Sequence, residues 1–312
     1  MKQIISRFGI ILVVGVFGVL QAKADLGASA MLRHNGVTTF YQWDEVQDAV
    51  DASVDGDTIY LAEGTFSPFN INKRIMVRGA GPGTTVSGNC TIDIPNDKKL
   101  VMPVLDALAI SGTVQVNSAG NQLTFRKVQI SILNFSTESE FNDVKLESSY
   151  ISNTFMLAPC VRSINCDNCK ISELRPNNHT DGNLVFTHCN IYKITGFITA
   201  KFLSCFIYEV GSLNNKYCVG CGFNSCVYSS IYSNNSWYEN CYSLSTYRNA
   251  NSNLVDYYNS KAISSIDGTH IGAYGGTYPY TLYPALPTVT KHTVTVDAAN
   301  KKLNVTLTLD KK

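Results

Sequence analysis

Apolar residues through the middle of the chain return in one frame. The stretches LTFRKVQI, VKLESSYI, INCDNCKI, LVFTHCNI, AKFLSCFI, CGFNSCVY and SWYENCYS superimpose without gaps. With the sixth residue of each as reference, the frame runs Val128, Ser149, Cys169, Cys189, Cys205, Cys226 and Cys241, at intervals of 21, 20, 20, 16, 21 and 15 residues, and Leu108 extends it upstream. Three places before the reference stand Phe125, Leu146, Cys166, Phe186, Phe202, Phe223 and Tyr238; five before, Leu123, Val144, Ile164, Leu184, Ala200, Cys221 and Ser236. Two places after it stand Ile130, Ile151, Ile171, Ile191, Ile207, Tyr228 and Ser243, and five after, Leu133, Thr154, Leu174, Ile194, Val210 and Ile231.

Within each stretch the apolar positions alternate, as a strand with one buried face requires. The alternation breaks once, where two mostly polar residues intervene: Arg126-Lys127, Glu147-Ser148, Asp167-Asn168, Thr187-His188, Asn224-Ser225 and Glu239-Asn240. That break predicts a sharp corner between two strands. Strand, corner, strand and longer loop, repeated at this period, make one coil of an all-β, single-stranded parallel β-helix of roughly 8–11 coils stacked at ~4.8 Å. Leucine-rich repeats share the period but need a Leu-x-x-Leu-x-Leu-x-x-Asn frame, which these rows lack.

Upstream of the rows, Trp43, Val46, Ala49, Val50 and Val54 recur every three or four residues, which predicts an amphipathic capping helix at about 42–53. GDTIYLAEGTF and KRIMVRGAG then read as strands ended by glycine. This helix, followed by GDTIYLAEGTF and INKRIMVRGAGPGTTVSG, resembles the N-terminal cap and first coils of the right-handed parallel β-helix proteins of the pectate-lyase-like superfamily. The resemblance covers about residues 38–260 and speaks for fold rather than activity. The run DGTHIGAYGG, 267–276, is similar to the tail that follows the β-helix in many secreted proteins of Gram-negative gut bacteria, most without an assigned activity. After it, HTVTV and KLNVTLTL alternate around DAANK and predict a hairpin. Residues 25–265 are thus expected to form the β-helix, and 266–312 a C-terminal capping tail and hairpin closing a coil whose open end would expose unpaired backbone.

The N-terminus has the three parts of a secretory signal over residues 1–24: Lys2 and Arg7, an apolar run from Phe8 to Leu20, and Ala22-Lys23-Ala24. It is too short for a membrane span, and no later stretch is apolar enough for one. The expected location is the secreted, periplasmic or cell-surface space of a bacterium. A net charge of +1 with 16% charged residues argues against a nucleic-acid partner. Polarity comes instead from Asn, Ser, Thr, Tyr and Gly, which suits a polysaccharide or surface glycan as partner.

Ten cysteines in an exported chain first suggest disulfides. Yet Cys166 and Cys169 occupy inward columns filled elsewhere by Phe, Leu, Ser or Val, so Cys-x-x-Cys reads here as two core positions flanking a corner. A stacked column of Cys169, Cys189, Cys205, Cys226 and Cys241 cannot all pair at once. Zinc is not expected, because Cys218 and Cys221 lie rows away and no histidine completes a set.

Catalytic signals are thin. Glycoside hydrolysis needs two paired acids, and the clustered Asp and Gly-His-Gly of polygalacturonase-like enzymes in the superfamily are missing. Glu147 and Asp167, in one corner column on adjacent rows, are candidates for Ca²⁺, the one cofactor considered. A lyase acting on acidic glycans needs a base and cations, for which Lys145, Lys170 and Lys201, and Arg175, His179 and Asp181 in the loop 175–183, are the candidates. The clearer signal is aromatic: Tyr150, Tyr192, Phe206, Tyr208, Trp237 and Tyr242 face outward by alternation. Such rings can stack on the CH faces of sugars while hydroxyls and amides bond the rest, so binding without turnover is the expectation. A structural or adhesive role in the cell envelope would need neither aromatic face nor catalytic site.

Overall fold

The computed structural model describes residues 29–95, 104–119, 122–137, 140–177, 182–210, 218–219, 222–224, 226–231, 233–234, 236–239, 242–243, 265–277, 279–282, 288–297 and 302–310. These residues form a parallel β-solenoid of the right-handed type, nearly all strand. One sheet stacks parallel strands from Thr58–Leu61 to Trp237–Glu239, and a second runs beside it from Gly64–Phe66 to Tyr242–Ser243. The regular part, Leu105–Asp106 through Val227–Ile231, comprises about seven turns.

Register follows the sequence frame. Phe125, Leu146, Cys166, Phe186, Phe202, Phe223 and Tyr238 stand opposite one another in successive strands of the first sheet. Ile130, Ile151, Ile171, Ile191, Ile207 and Tyr228 do the same in the second. One assignment shifts. The strand Tyr150–Met156 carries an irregularity after Ile151, so Phe155 and not Thr154 pairs with Leu133 and Leu174. The extra residue moves Thr154 one place along, where its hydroxyl lies 3.3 Å from the Glu173 carboxylate. Inserting one residue into a ladder re-aims everything beyond it, which a gapless alignment cannot represent.

The corner between the sheets turns on one residue per row. Ala107, Lys127, Ser148, Asn168, His188 and Ser204 all have φ between 48° and 54°, the left-handed region that costs an ordinary side chain about 1–2 kcal/mol. Backbone hydrogen bonds to the next row offset that cost: Ser148 N donates to Asp167 O at 2.9 Å, Asn168 N to Thr187 O at 3.1 Å and His188 N to Leu203 O at 2.9 Å.

Inside, Phe186, Phe202 and Phe223 stack with centroids 5.2 and 5.1 Å apart. The neighbouring column holds Cys169, Cys189, Cys205 and Cys226, all buried with free thiols. Each sulfur faces two backbone carbonyls at 3.1–3.3 Å, one in its own row and one in the preceding row. Each thiol is thus a weak additional donor at the corner, where the own-row carbonyls of Asp167, Thr187, Leu203 and Asn224 already accept a backbone N–H. Burial pushes the Cys166 and Cys189 thiols well above their ordinary range and Cys90 up to about 11.

The helix is Val46–Ala52, and it buries only Val46, Ala49 and Val50. Trp43 and Val54 lie outside its ends and are exposed, so the covering face is shorter than its sequence periodicity predicts. A hairpin of Ser29–His34 and Val37–Gln42, turning at Asn35-Gly36, adds antiparallel to Thr58–Leu61 and covers the first row's edge. Its Asn-Gly dipeptide between alternating residues is a readable hairpin signal, and this hairpin is not among the elements expected above. Near the C-terminus of the chain, Thr288–Asp297 pairs antiparallel with Lys302–Asp310, the hairpin expected around DAANK. No helix among the described residues is long and apolar enough to cross a membrane.

Candidate functional site

The motif DGTHIGAYGG forms a strap. Residues 265–277 lie along the corner between the sheets, against the rows of Asn168, His188 and Ser204. The Asn168 side-chain amide donates to the carbonyls of Ala273 and Gly275, at 3.1 and 2.5 Å. Ile266 N donates to the Ser204 hydroxyl at 2.9 Å, Gly272 N to Ser204 O at 2.8 Å, and Ala273 N to the Asn190 side chain at 3.0 Å. The seat admits no side chain at two points. A Cβ on Gly275 would meet His270 O at 1.6 Å and the His188 ring at 2.6 Å, and one on Gly272 would meet Asn190 Oδ1 at 2.1 Å. The expectation that this tail closes the coil's open end is therefore corrected for 265–277: it packs along the side. The corner is where exposed backbone polar groups and the side chains of Asn168 and His188 offer partners.

His188 is the strap's main anchor and is almost fully buried. Its Nδ1 lies 3.1 Å from His270 O and its Nε2 3.2 Å from the Asp267 carboxylate. Both partners only accept, so the tautomer of the ring decides which nitrogen donates. Asp267 is itself gripped by the hydroxyls of Ser265 and Thr269 and by Thr269 N. Burial opposes its charge, but those donors and His188 outweigh it and hold the carboxyl well below the usual range. Between corner and strap lies a cleft of about 340 Å³ bordered by Asp167, Thr187, His188, Ser204, Asp267 and Thr277. Asp167 is pushed up, first by burial and then by Cys169 and Glu147.

On the second sheet the predicted aromatics divide between two outward columns. Tyr150, Lys170, Asn190 and Phe206 are successive partners in one, and the strap covers it. Phe206 is only 5% exposed, under Gly272. The Lys170 ammonium lies 4.5 Å from the ring centroids of both Tyr274 and Tyr280 and donates to the Tyr274 hydroxyl. Two residues along each strand, the next column is open. There Tyr192, 58% exposed, stacks on Tyr208 with centroids 4.8 Å apart and planes within 5°. The ring spacing matches the ~4.8 Å rise between rows, so the repeat itself sets the stack.

The other candidates scatter. Tyr242 continues the Phe206 column by backbone pairing, and Trp237 lies on the first sheet in the column of Lys145 and Lys201; the side chains of both lie outside the described residues. Phe206 is corrected from exposed platform to buried anchor. Lys145 is 3.8 Å from Asp143, Lys201 is exposed, and Arg175 pairs with Glu173 at 2.8 Å. Arg175 ends the strand Lys170–Arg175, where a loop was expected; His179 and Asp181 lie outside the described residues. Glu147 and Asp167 are ladder neighbours as their spacing predicts. Among the described residues no three His, Cys, Asp or Glu side chains gather where a metal ion could be held. The buried acid Asp106 is taken by Arg126 at 2.8 and 3.0 Å and by Arg78 at 3.3 Å.

His188, Asp267, Tyr274 and Tyr280 were not among the sequence candidates. The only sequence signal was the density of glycine in DGTHIGAYGG, and nothing local says against which row it docks. Comparison with protein-family models, with curated proteins and with solved structures finds no match.

Proposed function

We propose that the protein is exported and engages an extended polysaccharide or a cell-surface glycan along the second sheet, without turning it over. One observation carries this reading: the exposed, parallel Tyr192–Tyr208 stack on the regular second sheet. Aromatic rings with free faces and hydroxyl tips are what a sugar's CH face and hydroxyl groups fit. The helix-capped parallel solenoid supports a place beside the pectate-lyase-like superfamily. Lyase or hydrolase chemistry on acidic glycans has less support, since Lys145, Lys170 and Arg175 are each engaged by a neighbour and do not converge.

A glycan-array screen of purified 25–312, with parallel assays for unsaturated uronate and new reducing ends, tests the reading. Binding without product is expected. Product formation would replace it with an enzyme, and silence in every arm would favour a structural or adhesive envelope role.

A further inference from the structure

Tyr192 has one ring face on Tyr208. Its other face looks along the column to the preceding row, where the corresponding position is Ser172. This position follows from the ladder, since Ile171 pairs with Ile191 and Glu173 with Lys193. A serine occupies the place a third ring would take, leaving a seat one row high, about 4.8 Å, with an aromatic ceiling. The walls differ. On one side, two residues from Ser172, stands Lys170, held by the rings of Tyr274 and Tyr280. An ammonium has three donors; one goes to the Tyr274 hydroxyl, and among the described residues no carboxylate forms an ion pair with Lys170. On the other side Glu173 is fixed by the Thr195 hydroxyl at 2.7 Å and Arg175 at 2.8 Å.

We infer that this seat takes one pyranose ring of the glycan, stacked under Tyr192 in the place of a third tyrosine, with Lys170 donating to a ring substituent. Diagonal neighbours across adjacent strands are about 7–8 Å apart, which a pyranose with one exocyclic group spans. The strap thus has a role beyond covering Phe206: it positions the ammonium that completes the seat. The inference rests on the glycan-binding reading and adds to it a defined subsite.

The column itself supplies the test, because it already accepts tyrosine at two successive rows. Ser172→Tyr should extend the stack, fold normally and fill the seat. Ser131→Tyr, in the same column two rows upstream, is the matched control. Binding of cellohexaose, as a neutral pyranose probe, and of hexagalacturonate, as an acidic one, would be followed by calorimetry alongside thermal unfolding. The expected result is wild-type binding of at least one probe, weakened about tenfold by Ser172→Tyr at unchanged melting temperature and unaffected by Ser131→Tyr. Full binding by Ser172→Tyr together with loss in Tyr192→Ala would overturn the seat and leave the glycan reading standing. Full binding by both variants would overturn the seat and move glycan contact off the tyrosines. If neither probe, nor any arrayed glycan, binds the wild type, the glycan reading falls and the seat with it.

Discussion

Two outward columns of the second sheet lie two residues apart and have opposite fates. The column of Tyr150, Lys170, Asn190 and Phe206 is roofed by the strap, while that of Tyr192 and Tyr208 stands in solvent. Both obey the same alternation, and both carry aromatics. Facing away from the solenoid's core is therefore not the same as being exposed: a distant segment can make a second, lateral core. The difference predicts that similar substitutions in the two columns will act on different properties.

The largest expected effect is at Phe206. Truncation to alanine removes a ring packed between the sheet and the strap, and should cost about 3–5 kcal/mol of stability. Chemical denaturation would measure it. A loss below about 1 kcal/mol would mean the strap does not seal that column.

Gly275→Ala comes next. Its added Cβ has no room beside His270 O and the His188 ring, and overpacking of this kind costs about 1–3 kcal/mol. The strap should lift while the stacked rows persist. Proteolysis should then cut within 265–282 far faster than in the wild type, with the solenoid fragment surviving. Equal rates in the two proteins would show that the strap is not held at this point.

His188→Gln should also loosen the strap, since both amide protons sit on one nitrogen whereas His270 O and Asp267 are met by two different nitrogens of the imidazole ring, and a lost hydrogen bond costs about 0.5–1.5 kcal/mol. The same clasp has a pH signature. The folded Asp267 carboxyl sits below its unfolded range, so its contribution is fully present above the usual aspartate range, about 3.9, and is lost as pH falls below it. Acid should therefore speed strap proteolysis in the wild type. In Asp267→Asn the strap should already be loose at neutral pH, with little further change on acidification. An unchanged acid response in that variant would assign the effect to another carboxyl.

These contrasts also mark where sequence was sufficient. Columns repeat because each row rests on the next, so Phe186 above Cys166, or Ile191 above Ile171, could be read from spacing alone. The inward thiols were readable for the same reason, because a column's chemistry survives substitution of one member. What spacing could not give was any contact that breaks the repeat. The irregularity at Thr154 adds one residue to one row. The strap joins Asp267 to His188 across 79 residues, through hydrogen bonds and glycine clearances that have no period. The candidate surface was thus half legible: Tyr192 and Tyr208 follow from alternation, whereas the burial of Phe206 and the caging of Lys170 depend on a segment outside the repeat.

The smallest expected change in stability belongs to the open column and separates the two most sharply. Tyr192→Ala removes a ring that is mostly in solvent and leaves no cavity, so its effect on unfolding should stay within about 0.5 kcal/mol. That figure includes the stack on Tyr208, placed at the low end of the roughly 0.5–1.5 kcal/mol range for aromatic pairs because Tyr192 is mostly in solvent. Affinity for glycan should fall about tenfold. Phe206→Ala and Tyr192→Ala then form a crossed pair, one lowering stability at little change in binding per molecule with its strap seated, the other weakening binding about tenfold in a protein of near-native stability. If Tyr192→Ala instead destabilised the fold as much as Phe206→Ala, the open stack would be a structural element, and the outer face would have lost its best claim to a ligand.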